Sequence, residues 1–311
     1  MEGEQRPWTV AGEWSLPVGR FWRHLGGAGG ALLRLGFVAL TFAAIGLHVP
    51  AERPLLAISL GLLTIVLALT AAMPLAVYAT IWATFTVLRA GADDLGLPDR
   101  GQFVASLDRW LGNGDMPGEW VQRWLHDSVA GGAIDTFAVV VHLSYFVVPH
   151  LVAVGFWWLA FTGRSRDDRH FRRYVTSLAI VMAIGMLGFA LLPTSPPWLE
   201  ATTTGESTGI ERIAGGETSQ PESGDIYVVR DPNPIAAYPS LHQAISVLVA
   251  GALWRYDRRL GLLGVAYALA MGFSLVYLGE HYLVDVLAGW AISAGVIVLL
   301  ELREPGVDRR R

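Results

Sequence analysis

The sequence predicts an all-α, polytopic membrane protein, and three observations lead there. Of its 311 residues 53% are hydrophobic, and the mean hydropathy of +0.43 lies well above that of a soluble domain. Several charge-free apolar runs approach the roughly 20 residues that a helix needs to cross a bilayer, where helices satisfy their own backbone groups. Short arginine clusters alternate with these runs, as cytoplasmic loops do under the positive-inside rule.

Residues 1–30 are polar and Gly-rich and lack the apolar core and cleavage site of a signal peptide, so an uncleaved cytosolic or interfacial tail is expected. Candidate spans are Ala31–His48, Pro54–Met73, Pro74–Leu88, Thr136–Phe161, Tyr174–Leu192, Pro239–Trp254, Leu260–Gly279 and Tyr282–Leu300. Nothing charged lies between Arg53 and Arg89, and one straight helix of that length would measure about 50 Å, too long for a core of about 30 Å. A break near Pro74 is expected. Whether it makes a hairpin or a kink decides between eight and seven spans.

The domain reading is N-terminal transmembrane helices over 31–90, an extracytoplasmic amphipathic segment over 91–135, a core over 136–302, and a basic cytoplasmic tail over 303–311. "FVASLDRWLG" and "EWVQRWLHDSV" in the second of these mix apolar, aromatic and charged residues as interfacial helices do. The core includes a long extracytoplasmic loop, 193–238. Between Glu200 and Asp231 that loop has seven acidic residues against Arg212 and Arg230, with no hydrophobic period. It reads as a mobile linker or a lid.

Cysteine is absent and all 23 basic residues are arginine, which excludes disulfides, thiolate chemistry and a catalytic lysine. Net charge is only −4, so nucleic acid is not an expected partner. The 12 Trp and 9 Tyr suit interfacial belts.

Chemistry concentrates in two stretches. In "YPSLHQAISVLVA" (Tyr238–Ala250) Pro239 suits a first helical turn, placing Ser240 and His242 beside N–H groups that can cradle an anion. In "SLVYLGEHYLVDVLAGW" (Ser274–Trp290) His281 and Asp285 are four apart, so a carboxylate can accept the Nδ1 proton and leave Nε2 available for attack. One helical hairpin separates the two histidines, so both belong at the extracytoplasmic ends of their helices. Ionisable groups at membrane depth are costly enough to mark function. His142, in the outer half of the span Thr136–Phe161, is a weaker candidate for the same site; His150 reads as a packing residue.

These residues resemble the type 2 phosphatidic acid phosphatase (PAP2) superfamily. "PSLH" is similar to its motif Pro-Ser-x-His, and "SLVYLGEHYLVD" to Ser-Arg-x5-His-x3-Asp with Leu275 at the arginine position. "NPIAAYPSLH" and "LLPTSPPW" (Leu191–Trp198) look more like the branch containing inositolphosphoryl-ceramide synthases and many bacterial members, over roughly Gly101–Leu300. The resemblance implies His281 as phosphoryl-accepting nucleophile, Asp285 as its orienting partner, His242 as general acid, and Ser240 and Ser274 as phosphate ligands, with no metal or other cofactor. The family's lysine-led first motif is absent with lysine itself. A cation should replace it and the arginine lost at Leu275: Arg230 first, then Arg212 or Arg89.

The expected function is that of a phosphatase or phosphotransferase on lipid or isoprenoid phosphate esters, at the extracytoplasmic face of the plasma membrane. Partners are then a lipid or polyprenyl phosphate and the bilayer. Alternatives are headgroup transfer of inositol phosphate to a lipid or glycan alcohol, a proton-coupled transporter or lipid-binding protein using the same histidines, and a metal site built on His-x3-Asp.

Overall fold

The computed structural model describes residues 28–48, 73–92, 95–126, 128–162, 168–199, 208–213, 233 and 235–303. The expected span Pro54–Met73 lies outside them but for Met73, as do residues 1–27 and 304–311 of the tails. Contacts divide the chain into two units, 1–84 with 302–311, and 85–301. The described helices are α1 (Ala28–His48), α2 (Met73–Ala90), α3 (Gly101–Leu111), α4 (Pro117–Leu125), α5 (Gly131–Ser144), α6 (Val148–Phe161), α7 (Arg169–Leu191), α8 (Leu241–Tyr256), α9 (Arg258–Tyr277) and α10 (Leu283–Leu302). Residues 197–199 are also helical, and the described residues are otherwise turns and irregular segments, with one isolated parallel bridge between Thr194 and Ala236.

Among the described residues three helices, α7, α9 and α10, are long and apolar enough to cross a membrane, and α5 with α6, bent by 45° at their break, make a fourth if the pair is one span. The single span expected over Thr136–Phe161 is therefore broken. Pro149 in the first turn of α6 explains the break, because proline cannot donate to the preceding turn. The helix predicted to start at Pro239 begins instead at Leu241. Ser240 is its N-cap, and the Ser240 hydroxyl accepts the Gln243 N–H at 3.3 Å. With 16 residues α8 is about 6 Å shorter than the 20-residue α9 that follows it.

α8 is the hub of the larger unit, packed chiefly on α9 and α7. Its contact with α10 is close enough to require glycine: a Cβ on Gly289 would lie 2.4 Å from the Ser240 carbonyl oxygen and 3.1 Å from the Ala244 nitrogen. One turn on, the Ser293 hydroxyl donates to the Ala244 carbonyl at 2.6 Å. Small residues at a helix crossing are how membrane helices gain dispersion contact without a hydrophobic drive.

α3 and α4 bury one face and expose the other. Trp110, Trp120 and Trp124 are 77%, 54% and 70% exposed, whereas Val104, Ala105 and Asp108 face inward. Asp108 is fully buried, and its Oδ1 accepts the Val284 N–H at 2.9 Å, so α3 caps the start of α10. Burial raises this carboxyl to about 6. The folded state therefore holds the proton more tightly than the unfolded chain, and that stabilisation is present at acid pH and lost as pH rises through about 6.

Two outcomes are expected. Gly289→Ala should lower stability by about 1–3 kcal/mol, because its clash is with backbone that cannot yield; an unchanged unfolding midpoint in detergent would refute the close crossing. Asp108→Asn keeps the cap acceptor but cannot ionise. It should be more stable than the parent above pH 6, on the order of 2 kcal/mol, and equal to it near pH 4. Unfolding curves of both proteins across that range measure the difference.

Candidate active site

The turn between α9 and α10 holds the centre of the site. Gly279 takes φ +75°, and a Cβ there would meet the Glu211 carbonyl oxygen at 2.6 Å. After it the Glu280 and His281 N–H groups both donate to the Leu275 carbonyl, at 3.1 and 3.2 Å. His281 thus stands in the turn rather than on the helix face expected from its four-residue spacing. Asp285 is in the first turn of α10. Its Oδ2 lies 3.3 Å from His281 Nδ1 and accepts the Tyr282 N–H at 3.0 Å. The carboxylate is fully buried, and His281 is 6% exposed.

His242, in the first turn of α8, presents Nδ1 to His281 Nε2 at 3.5 Å, with ring centroids 5.6 Å apart. The two imidazoles and the carboxylate form one relay. At this spacing no phosphoryl group fits between the rings, so a substrate could enter the line only if one ring turned. The Ser240 N–H donates to the Asp285 carbonyl at 3.1 Å, locking the two helix starts at one level.

α5 closes the far side of His242. His142 and Tyr145, both buried, have ring centroids 5.1 and 4.2 Å from that of His242. His142 therefore joins the cluster, whereas His150 lies beyond the bend, in α6.

The expected phosphate ligands divide. Ser240 is buried at the helix cap beside His242. Ser274, near the end of α9, is also fully buried, and its hydroxyl has no hydrogen-bond partner among the described residues. Leu275, at the family's arginine position, is completely buried and apolar. Arg230 lies outside the described residues.

The structure describes the two other candidate arginines. Arg212 pairs with Glu280, the neighbour of His281 in the chain, at 3.0 Å and stacks over Trp198 at 4.3 Å. Arg89, at the end of α2, donates from its guanidinium to the Asn233 carbonyl at 3.2 Å.

Arg212 is held by a residue that sequence reasoning passed over. The Gln122 amide, on α4, donates to the Glu211 and Tyr277 carbonyls at 2.7 and 2.8 Å, while its oxygen accepts the Glu211 N–H at 2.9 Å. Thr208 donates to the Pro197 carbonyl at 3.0 Å and is buried with Ile210. Residues 208–213 are consequently packed, not a linker, which corrects that part of the loop reading. "LLPTSPPW" and "NPIAAYPSLH" also meet: Thr194 N–H donates to the Ile235 carbonyl at 2.7 Å, and Ala237 N–H to the Thr194 carbonyl at 3.0 Å. Asp99 anchors the first of these strings, its Oδ1 accepting the Ser195 N–H at 3.0 Å and its Oδ2 the Ser195 hydroxyl proton.

Asp108, Gln122 and Tyr145 thus support the site without any signal of their own in the sequence. For Asp108 and Gln122 the only trace was the amphipathic character of α3 and α4, in which they are the inward polar residues.

Comparison with known proteins places the chain in a family. Phosphoinositol dihydroceramide synthase of Bacteroides thetaiotaomicron is 26% identical over 169 residues, which cover 50% of this chain and 52% of that protein. The chain thus spans about half the length of that curated relative. No solved structure matches. The PAP2 superfamily profile matches residues 102–299, well over half of the sequence and inclusive of every residue in the relay, so the chain belongs to the PAP2 superfamily.

Proposed function

We propose that the protein is a membrane-embedded phosphatase or phosphotransferase acting on lipid or isoprenoid phosphate esters through a phosphohistidine. The observation that carries this is the continuous relay Asp285 Oδ2, His281 Nδ1, His281 Nε2, His242 Nδ1 at 3.3 and 3.5 Å. A carboxylate at Nδ1 fixes the tautomer that leaves a lone pair on Nε2, the requirement for attack on phosphorus.

In this reading His281 Nε2 forms a bond to phosphorus as the ester P–O bond breaks, and His242 gives its proton to the leaving oxygen. A water or an acceptor alcohol then attacks phosphorus, its proton passes to His242, and the P–N bond breaks. Water releases phosphate; an alcohol yields a new ester. Arg212 and Arg89 are, among the described residues, the candidate cations to meet the charge on the transferring group, and Arg230 remains a candidate with them. Ser240, whose oxygen accepts at the cap, still has its O–H to donate.

Orientation follows from charge. Arg169, Arg172 and Arg173 begin α7, Arg255 lies in the last turn of α8, and Arg258 and Arg259 begin α9, all at helix ends opposite the histidines. The positive-inside rule then turns the relay to the extracytoplasmic side. The exposed tryptophans of α3 and α4 suit the headgroup level of that leaflet.

A second reading, transfer of a phosphoinositol headgroup to a lipid alcohol, is favoured by the name of the relative, a phosphoinositol dihydroceramide synthase. It uses the same relay with a phosphodiester donor.

His281→Ala should abolish turnover and His242→Ala should nearly do so, whereas His150→Ala should keep most activity. Phosphate release from a panel of lipid phosphates, with and without acceptor alcohols, measures this and separates hydrolysis from transfer. Full activity in the His281 variant would refute the nucleophile. Arg212→Gln should raise KM or lower kcat by about 10-fold or more, since a charge-assisted contact is worth roughly 1.5–3 kcal/mol. Vanadate should inhibit and chelators should not; loss of activity with chelator would favour a metal enzyme, and substrate flux without phosphate chemistry would favour a transporter.

A further inference from the structure

α3 and α4 carry apolar surface that the protein does not cover. In α3, Val104 and Ala105 pack inward on Met116, Ile210 and Tyr282, while Phe103, Leu107, Trp110 and Leu111 are exposed at the spacing of one helical stripe. In α4 the outward stripe is Trp120 and Trp124, exposed and stacked at 5.7 Å. Contiguous exposed apolar patches mark contact surfaces.

The level of the two helices decides what covers them. Asp108 of α3 accepts the N–H of Val284, in the first turn of α10, and Gln122 of α4 donates to the carbonyl of Tyr277, the last residue of α9. Both α9 and α10 are long and apolar enough to cross a membrane. α3 and α4 are therefore tied to the points where two spans emerge, and their outward stripes meet the headgroup level, where tryptophan is enriched.

Each outward indole shares a turn with an inward anchor. Residues two apart on a helix stand about 200° apart, so Trp110 lies opposite Asp108, and Trp120 and Trp124 lie opposite Gln122. The anchors hold the site. Asp108 fixes the start of α10, which carries Asp285, and the Gln122 oxygen accepts the N–H of Glu211, the neighbour of Arg212, at 2.9 Å. With 11 and 9 residues, α3 and α4 are shorter than the roughly 12–15 that an isolated helix needs, so their order depends on contacts at both faces.

We propose that phospholipid of the leaflet on the histidine side regulates the site: seated on the indoles of α3 and α4 it steadies both helices, and through Asp108 and Gln122 it steadies the start of α10 and the segment that carries Arg212. The lipid contact stands without the proposed reaction; its effect on turnover rests on that reading.

The full chain in phosphatidylcholine nanodiscs is followed by amide hydrogen exchange. Trp110→Ser should speed exchange at Val284 by about 5-fold or more and leave Glu211 near the parent, and Trp124→Ser should do the converse. Trp110→Phe and Trp124→Phe, which keep the apolar surface, should match the parent. These indoles are exposed, so a role confined to the protein predicts no change in either serine variant, and that result would overturn the coupling. Phospholipid brominated near the headgroup end of its chains should quench the fluorescence difference between the parent and Trp110→Phe; an unquenched difference would put Trp110 in water and overturn the lipid contact. His281→Ala should be quenched like the parent, so failure of the proposed reaction and failure of this surface are separable. On a short-chain, water-soluble phosphate ester Trp110→Ser should lower kcat by about 3-fold or more with KM unchanged; an unchanged kcat would overturn the regulation.

Discussion

Asp285 is the joint on which the larger unit depends. Its carbonyl accepts the Ser240 N–H at 3.1 Å, and its Oδ2 takes both the Tyr282 N–H at 3.0 Å and His281 Nδ1 at 3.3 Å. One fully buried residue thereby fixes the start of α8, the start of α10 and the ring between them. A carboxylate out of water costs several kcal/mol unless its oxygens are used, so the contacts of Oδ2 offset its burial as well as setting the geometry, while Oδ1 has no hydrogen-bond partner among the described residues. The outlying helices contribute to the same end: Asp108 holds Val284 from α3, and Gln122 holds Glu211 and Tyr277 from α4.

Close helix packing makes that joint possible. Gly289 lets α10 approach the carbonyl of Ser240, and Gly272 leaves room for the buried Gln243 amide, whose oxygen would lie 2.8 Å from a Cβ there. Gln243 also donates to the Ala268 carbonyl at 2.9 Å, tying α8 to α9 by a side chain. Within lipid a hydrogen bond across helices replaces the water such groups would otherwise need.

How much of this was legible in the sequence differs with the kind of constraint. The helical class was legible because apolar runs of span length are a property of composition. His242, His281 and Asp285 were legible because a hairpin between them fixes both at one end, whatever the side chains do. The start of α8 was misread at Pro239, since proline tolerance at a first turn and serine capping predict starts two residues apart, and the Ser240 cap won. The break in Thr136–Phe161 had its signal in Pro149, which a hydropathy run overrode. Gln122 and Asp108 were not legible, and Arg212 only as one of three candidate cations, because they meet the core through tertiary contacts across long stretches of chain, Gln122 reaching Tyr277 from 155 positions away.

The relay also divides its members by freedom of movement. His281 is tethered twice, at Nδ1 by Asp285 and at its backbone N–H by the Leu275 carbonyl. His242 is held on its other sides by ring contacts with His142, Tyr145 and Phe146 at centroid distances of 5.1, 4.2 and 6.3 Å. Ring contacts are weakly directional compared with a charge-assisted hydrogen bond, so a rotamer change of His242 costs less than one of His281. In the proposed reaction the nucleophile is therefore the fixed ring and the acid the one that swings aside to admit phosphorus.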